Sequence, residues 1–596
     1  MKEQISVFGG FRYYGSQGMN IGQWNETENG YVAEISFRDY CHGSIRLTKK
    51  DNVAVLWLDL DCDPEPYHFS RSFLTERSMM IDVQIPGIQN VLSRYSTTPF
   101  WTSVAFENDL SKVSQRIQNM LLKLTNVNLS VLPLCHDSFY ATICPSDGAQ
   151  TLRIQLDKLY EGASELHGPV AVFSWDSDPY VAVKEGFVFA KENGLISTEL
   201  REKKHLPDIY RGLGWCTWNA FYHDVTEQGI LEKLEEFRAK GVPVKWVMID
   251  DGWSQFAGYN SFELTSFTED RKKFPNGLKG CIRKMKEEYG VEAVGVWHAL
   301  TGYWYGIEKE SGLAQDQRHN LEETNAGWLI PGGESAYGFF RKWHGYLKEQ
   351  GVDFVKIDTQ GNVLEFLVGK KDCLKKAIQI QSDIDRSVVE VFGGNVINCM
   401  GMNNINALHR PYTALSRNSD DFFPDKEGSF KTHLIQNAFN AVFHGCLFHC
   451  DYDMWWTNHE SAKQNSILRA ISGGPVYLSD KVGDTRTEYL RLSLKNDGSI
   501  DLCDGPALPT MDCLYQDPAN GVLKLYNTMG QVGVVAVFNL SEQEQTVCVS
   551  PKDFSGIGDY AVSGFYSGIK AENGVAEITL TAGDAEIFYF YPNADK

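Results

Sequence analysis

The sequence predicts a multidomain fold: an N-terminal β-sandwich over residues 1–195, a central (β/α)8 TIM barrel over 196–495 and a C-terminal antiparallel β-sandwich over 496–596. Three observations support this division. The chain has 596 residues, too many for one ordinary domain. Up to about residue 185 it consists of short strand-like runs separated by turn residues. Apolar runs then alternate eight times with helical patterns, and strand-like runs return from about residue 500.

The N-terminal region contains the strand-like runs "YVAEISF", "VAVLWLDLD", "MMIDVQI", "WTSVAF", "YATICP" and "TLRIQL". One apolar stretch among them, Ile117–Leu124, predicts a helix. At the other end of the chain, "VLKLYN", "VGVVAVFNL", "QTVCVS", "AEITLT" and "EIFYFY" predict the C-terminal strands.

The central region contains eight apolar runs that end in polar residues. They lie at 212–218, 246–251, 293–300, 353–359, 395–400, 413–421, 447–453 and 473–480. Helical patterns separate them, such as "TEQGILEKLEEFRAKG", in which Ile230, Leu231, Leu234 and Phe237 share one face. Eight such β–α repeats predict a closed barrel. After the third run, an aromatic-rich insertion at 301–334 is a candidate wall for the substrate, and Trp304 within it is a candidate contact.

Charge and composition exclude several partners. The net charge of −21 argues against nucleic acid and anionic membranes. No apolar run approaches the ~18 residues that a membrane span needs. The N-terminal "MKEQISVFGGFRYYG" lacks the pattern of a secretion signal, and the 13 cysteines are scattered. We therefore expect a cytoplasmic protein with no membrane or nucleic-acid partner.

Polar and aromatic residues cluster where the predicted barrel strands end, which is where barrels carry their active sites. The candidates, in chain order, are Cys216, Trp218, Asp250, Asp251, Trp297, His298, Lys356, Asp358, Arg417, Asp420 and Asp421. Singly, each has a structural explanation: "KID" is often a salt-bridged loop, and Asp420 could cap a helix. The joint arrangement on consecutive strand ends favours a functional site.

A ring of carboxylates with few histidines suits either a divalent metal or acid/base chemistry on a sugar. Glycoside cleavage needs two carboxyl groups, ~5–5.5 Å apart when configuration is retained. Lys356 lies two residues from Asp358, so both side chains point the same way and the lysine keeps the aspartate ionised. Lys356 and Arg417 would compete with a bound cation, so we predict no metal and no cofactor.

Seven ordered motifs then indicate a family: "GWCTWNAFY", "IDDGW", "GVWHALTGYW", "VKIDTQ", "RNSDDFFP", "DYDMWWTNHESA" and "RAISGGPVYLSDKVG". They resemble glycoside hydrolase family 36, in the raffinose-synthase and seed-imbibition-protein branch, whose bacterial members are mostly called α-galactosidases. The resemblance covers most of the chain.

The resemblance implies a retaining mechanism in which Asp358 is the nucleophile and Asp421, spaced four residues from Arg417, is the acid/base. Asp420 is the fallback for that role. It also implies that Trp218 contacts the sugar, that Asp250 and Asp251 hold the galactose O4 and O6 hydroxyls, and that Cys216 lies near O2. Lys356, Arg417, Trp297, His298, Asp420 and Trp304 complete the expected substrate-binding set.

The resemblance leaves the reaction open. Asn219 stands where the plant synthases usually have Asp, and this chain lacks their inserted segments, so hydrolysis of terminal α-galactosides is the first expectation. The alternatives are galactosyl transfer as in raffinose synthases, hydrolysis of another α-glycoside, sugar binding without catalysis, and metal-dependent hydrolysis. The expected partner is a small α-glycoside or oligosaccharide, and since members of the family often assemble, a homo-oligomer is also open.

Overall fold

The computed structural model of the protein describes residues 5–9, 17–18, 20–37, 41–62, 78–159 and 165–593. Across these residues, an antiparallel β-region comes first, an eight-stranded parallel sheet follows, and a second antiparallel β-region ends the chain. This is the predicted arrangement of β-sandwich and barrel, while the domain limits at 195 and 495 stay predictions.

Within the described residues, fifteen N-terminal strands pair into one antiparallel sheet. They are Ile5–Gly9, Gln17–Gly18, Asn20–Ile21, Asn25–Thr27, Gly30–Phe37, Cys41–Lys50, Val53–Cys62, Ser78–Gln84, Ile88–Ser96, Thr102–Glu107, Ile117–Leu124, Asn128–Pro133, Tyr140–Cys144, Thr151–Asp157 and Glu165–Asp176. Side chains alternate between the two faces. Leu56 and Leu58 enter the core of the N-terminal region, whereas Val53 and Val55 join the larger core that contains the barrel.

The segment Ile117–Leu124 is a strand, so the predicted helix there is wrong. Met120 and Leu122 lie in the N-terminal core, and Leu121 between them lies in the core shared with the barrel. A strand covered on both faces has no polar alternation, and its apolar run cannot be told from a buried helix by periodicity.

The eight parallel strands of the barrel are labelled β1 to β8 in chain order. They are β1 Gly214–Cys216, β2 Trp246–Ile249, β3 Ala293–Ala299, β4 Phe354–Asp358, β5 Val396–Asn398, β6 Leu415–Arg417, β7 His449–Asp451 and β8 Tyr477–Leu478. Neighbours from β1 to β7 pair in sequence, and β8 pairs with β1. A parallel bridge between Trp455 and Leu478 joins the segment after β7 to β8. Each of the eight predicted runs contains one of these strands.

Large rings fill the lower part of the barrel interior. Trp246 of β2 and Phe354 of β4 point inward, whereas Val247 belongs to the core outside the sheet. Glycines on neighbouring strands leave room for these rings: a Cβ on Gly214 would lie 2.2 Å from the Trp246 ring, and one on Gly295 would lie 2.4 Å from the Phe354 ring. The next inward positions along the strands therefore reach the carboxyl-terminal mouth of the barrel.

Helices surround the barrel. The longer ones are Glu227–Ala239, Gly277–Tyr289, Ala336–Glu349, Cys373–Phe392, Ser429–His444 and Ala462–Ile471, and the short ones are Trp218–Phe221, Gly312–Gln317, Asn362–Leu367 and Asn404–Ala407. Helix Pro179–Glu192 precedes the barrel and packs on the N-terminal sheet. The predicted apolar face of Glu227–Ala239 is buried as expected, at Ile230, Leu231, Leu234 and Phe237. Two short ribbons lie outside the barrel: Ser254–Phe256 with Leu264–Glu269, and Leu321–Glu323 with Leu329–Pro331.

The C-terminal region has a six-stranded sheet and a two-stranded sheet around a shared core. The larger contains Leu508–Pro509, Val522–Met529, Val532–Asn539, Tyr560–Gly564, Lys570–Ala571 and Ala585–Pro592, and the smaller contains Gln545–Val549 and Ala576–Leu580. Across the described ranges, no helix combines the length and apolarity needed to cross a bilayer.

Candidate active site

The barrel mouth gathers charged side chains from the inward positions of its strands. Asp250 lies four residues beyond the inward Trp246 of β2, and Lys356 and Asp358 follow the inward Phe354 of β4. All three charged side chains are buried. Burying a charge is costly unless it is paired or hydrogen-bonded, so the partners of each group define the site.

The two carboxylate oxygens of Asp358 differ in their surroundings. Its Oδ2 accepts a hydrogen bond of 2.5 Å from Nε1 of Trp297 and lies 3.9 Å from Nζ of Lys356. Its Oδ1 is buried and accepts no hydrogen bond from an oxygen or nitrogen donor among the described residues. Burial raises the pKa of Asp358, and the charge of Lys356 opposes that rise. The carboxylate therefore keeps acceptor capacity that the nitrogen and oxygen donors around it do not use.

Lys356 links the two aspartates of the mouth. Its Nζ lies 2.8 Å from Oδ2 of Asp250, and the thiol Sγ of Cys216 lies 3.2 Å from the same oxygen. Burial by itself lowers the pKa of Lys356, but Asp250 and Asp358 raise it well above its ordinary value. Burial raises the pKa of the Cys216 thiol, so this group stays neutral and can donate to Asp250.

Asp251 holds loops of the rim together. Its Oδ1 accepts a hydrogen bond of 2.7 Å from the hydroxyl of Tyr303, and its Oδ2 accepts one of 2.8 Å from Nε1 of Trp304. Nε2 of His223 lies 3.1 Å from Oδ2, and this hydrogen bond is the main cause of the raised pKa of His223. The indole N–H of Trp304, predicted to contact substrate, is thus directed at Asp251. Sequence reasoning missed Tyr303 and His223.

Arg417, at the end of β6, is fully buried among carboxylates. Its Nη2 lies 3.0 Å from Oδ1 of Asp421, and its Nη1 lies 3.0 Å from Oδ1 of Asp453. Burial raises the pKa of Asp453 to about 6, against the opposing charge of Arg417. The side chain of Asp421 is 34% exposed, so it faces the open mouth.

Asp420 and Asp421 differ in their surroundings. The N–H of Asp420 donates to Oε1 of Gln436 at 3.0 Å, and Oδ1 of Asp420 accepts from the N–H of Asp421 at 2.7 Å. The Asp420 carboxylate therefore stabilises its own turn, whereas Asp421 is paired with Arg417. Asp421 also raises the pKa of Asp358, so these two charges interact. This geometry favours Asp421 over Asp420 as the partner of Asp358.

The structure does not bring His298 to the mouth with the other predicted site residues. Trp297 points inward to Asp358, and the next residue of β3 points to the opposite side. There, Nε2 of His298 lies 3.0 Å from Nε2 of His344 on helix Ala336–Glu349. Burial lowers the pKa of His298 to about 4. This histidine belongs to the packing between sheet and helix.

Two further tryptophans stand beside the charged cluster. Trp218, half-buried, begins the short helix after β1, and its ring centre lies 5.2 Å from that of His223. Trp101 comes from the N-terminal sheet, and its ring centre lies 5.3 Å from the guanidinium carbon of Arg417. Sequence reasoning missed Trp101, because no pattern connects a residue between two N-terminal strands with a barrel more than a hundred positions away. Only the high aromatic share hinted at such a residue.

For the residues that the structure describes, no group of three or more His, Cys, Asp or Glu side chains is arranged to hold a metal ion. In the mouth, Lys356 and Arg417 lie between the carboxylates instead.

Comparison with known proteins shows the family to which this chain belongs. The family model described as "Raffinose synthase or seed imbibition protein Sip1" matches residues 123–266 and 259–554. The chain belongs to this family. The resemblance to this branch of glycoside hydrolase family 36, inferred above from seven motifs, is thereby confirmed.

The family's curated relatives include plant galactosyltransferases. A probable galactinol–sucrose galactosyltransferase 6 of Arabidopsis thaliana is 35% identical over 400 residues, which cover 61% of this chain and 53% of that protein. Stachyose synthase of Pisum sativum is 25% identical over 587 residues, covering 76% of this chain and 68% of that protein. The chain thus spans little more than half the length of the first of these relatives.

Solved structures of the same fold include α-galactosidases. The family 36 α-galactosidase AgaA from Geobacillus stearothermophilus superposes with a TM-score of 0.62 at 11% identity, over 98% of this chain and 89% of that chain. A variant of AgaA in complex with raffinose gives a TM-score of 0.59 at 10% identity, over 98% of this chain and 89% of that chain. At such identities the likeness shows a shared fold.

Proposed function

We propose that this enzyme transfers a galactosyl group from an α-galactoside donor to a hydroxyl of an acceptor sugar, with retention of configuration. Hydrolysis, the first expectation from the sequence, becomes the second candidate, because two curated relatives that match 61% and 68% of the chain are named as probable galactinol–sucrose galactosyltransferases. The observation that carries the proposed chemistry is the buried carboxylate of Asp358, held by Trp297 and Lys356, which interacts with Asp421 of the pair formed by Arg417 and Asp421.

In the first step, the carboxylate of Asp358 attacks the anomeric carbon of the bound galactoside while the bond to the leaving oxygen breaks. The hydrogen bond from Trp297 and the charge of Lys356 hold Oδ2 and so orient the carboxylate. Asp421 donates a proton to the leaving oxygen, so no free alkoxide forms. The product is a galactosyl ester of Asp358.

In the second step, Asp421, now a carboxylate, takes the proton from an acceptor hydroxyl. The acceptor oxygen attacks the anomeric carbon and Asp358 leaves, so two inversions give net retention. Water in place of the acceptor gives hydrolysis by the same residues. The reaction type is therefore decided by what occupies the acceptor position.

We assign sugar binding to the remaining residues of the mouth. Asp250, whose Oδ2 is already paired with Lys356 and Cys216, and Asp251 would accept hydrogen bonds from the galactose hydroxyls. Trp218 would stack on the sugar ring, because aromatic faces suit apolar sugar faces. Both Asp251 oxygens also accept from protein donors, so the same carboxylate fixes the rim around the sugar.

Replacing Lys356 with methionine is expected to move the acidic limb of the kcat/KM pH profile to higher pH. Burial raises the pKa of Asp358 and Lys356 lowers it, so without the lysine that pKa rises further. Asp358 must be ionised to attack, so activity lost at neutral pH returns in part as pH increases. Lys356→Arg keeps the charge and is the matched control, with its acidic limb close to that of the wild type. A uniform loss without any shift would contradict this role of Lys356.

The reaction type is tested by following products from galactinol with increasing sucrose. Transfer predicts a trisaccharide whose rate of formation rises with sucrose, while release of free galactose falls because acceptor and water compete for one intermediate. Free galactose as the sole product at every sucrose concentration would overturn transfer and leave hydrolysis. The Asp358→Ala variant is the blank, since it should form neither product.

A further inference from the structure

A loop of the N-terminal sheet reaches the barrel mouth. It connects strands Ile88–Ser96 and Thr102–Glu107 and ends in Trp101, which is 4% exposed. The Trp101 side chain packs in a small cluster with Cys399, Met400 and Met402, the residues that follow β5. Trp101 therefore belongs to the N-terminal region of the chain, but its side chain is buried against residues of the barrel.

The ring of Trp101 lies against Arg417. The guanidinium carbon is 5.3 Å from the ring centre, within the range in which an aromatic face attracts a cation. On its other sides the guanidinium contacts Asp421 and Asp453, each at 3.0 Å. Because Arg417 is fully buried, the ring also keeps water from this group. A side chain from the N-terminal region thus forms part of the immediate surroundings of Arg417.

Hydrogen bonds fix the part of the loop that precedes Trp101. Thr98 Oγ1 accepts from the N–H of Trp101 at 2.9 Å, and Nδ2 of Asn403 donates to the carbonyl of Pro99 at 2.8 Å. Gly361 approaches the loop so closely that a Cβ there would lie 2.3 Å from the carbonyl oxygen of Pro99. These contacts leave the loop little freedom to withdraw from the barrel.

Asn440 forms a second connection parallel to the ring contact. Its Nδ2 donates to the carbonyl of Thr102 at 3.0 Å and to the carbonyl of Asn418 at 2.9 Å. Thr102 follows Trp101 and Asn418 follows Arg417, so the two chain segments are tied side by side. The hydrogen bonds of Asn440 therefore help to fix the position of Trp101 relative to Arg417.

We propose that Trp101 is a positioning residue for the acid/base: it holds Arg417, and through Arg417 it orients Asp421 toward the leaving oxygen. This inference rests on the proposed role of Asp421. Proton donation is sensitive to small displacements, and the N-terminal region thereby becomes part of the catalytic arrangement of the barrel.

The test compares substrates that differ in their need for a proton. A sugar alkoxide must be protonated as it leaves, whereas fluoride departs as a stable anion. We expect Trp101→Leu to lower kcat/KM for galactinol by about tenfold or more, while kcat/KM for α-galactosyl fluoride stays nearly unchanged. Trp101→Phe, which keeps an aromatic face and is the milder change if the leucine variant fails to fold, should show a smaller selective loss.

A matched control exists in the same region of the chain. The guanidinium carbon of Arg46 also lies 5.3 Å from the ring of Trp57, away from the mouth, so Trp57→Leu removes the same kind of contact without affecting either substrate. Equal losses on both substrates in the Trp101 variants would overturn the positioning role, provided that Asp421→Ala is selective. If Asp421→Ala itself loses both activities equally, the acid/base assignment and this inference are both overturned.

Discussion

Replacing Asp358 with alanine lowers kcat/KM for aryl α-galactosides by about 10⁴-fold or more, because the attacking carboxylate is gone. Azide then enters the space left by the carboxylate and attacks from the same side. The expected product is β-galactosyl azide, since a single displacement inverts an α-galactoside. NMR of the product gives the anomeric configuration of the galactosyl azide.

Asp358→Asn keeps the shape of the side chain and separates loss of charge from loss of packing. It is expected to be as inactive as the alanine variant, with an unchanged melting temperature. Turnover close to that of the wild type in either variant would remove Asp358 from the mechanism.

Replacing Asp421 with alanine is expected to lower kcat/KM by about 10²–10⁴-fold for substrates with poor leaving groups and to spare α-galactosyl fluoride. Such a loss depends on the basicity of the leaving oxygen because proton donation is what the variant lacks. Azide should accelerate the second step and give α-galactosyl azide, since it attacks the ester on Asp358. The anomer is thus opposite to that obtained with Asp358→Ala.

The adjacent aspartate provides the control. Asp420 accepts from the N–H of Asp421 and makes no ion pair with Arg417 in the described structure, so Asp420→Asn should keep the dependence on leaving group close to that of the wild type. If Asp420→Asn shows the selective loss and Asp421→Ala does not, the two roles are reversed.

The barrel could be predicted because its strands are short, apolar and followed by polar residues at a regular interval. Trp246 and Phe354 pack below Asp250 and Asp358 by the same two-residue alternation that is visible in the sequence. The shared direction of Lys356 and Asp358 follows from this period alone. To assign Lys356 and Asp358 to a site, the order of the strands was also needed, and the eight β–α repeats indicated that order.

Other features could not be predicted from the sequence, because they depend on contacts between distant segments of the chain. Histidine is a common residue type in active sites, so the sequence suggested His298 as a site residue. The observed direction of Trp297 shows that His298 lies on the outer side of β3. Ile117–Leu124 is apolar throughout because two cores cover it, so no period was available to identify a strand. Trp101 reaches Arg417 across 316 positions of sequence, and local patterns carry no information about such a contact.

The most direct test of the two-aspartate account is to trap the covalent intermediate. A fluorinated galactosyl fluoride, whose ester with the enzyme is cleaved slowly, is incubated with the wild type and with Asp358→Asn, and peptides are then sequenced by mass spectrometry. The account predicts one sugar adduct, on Asp358, in the wild type and none in the variant. An adduct on Asp250, Asp421 or any other residue, or turnover with inversion and no adduct, would contradict it.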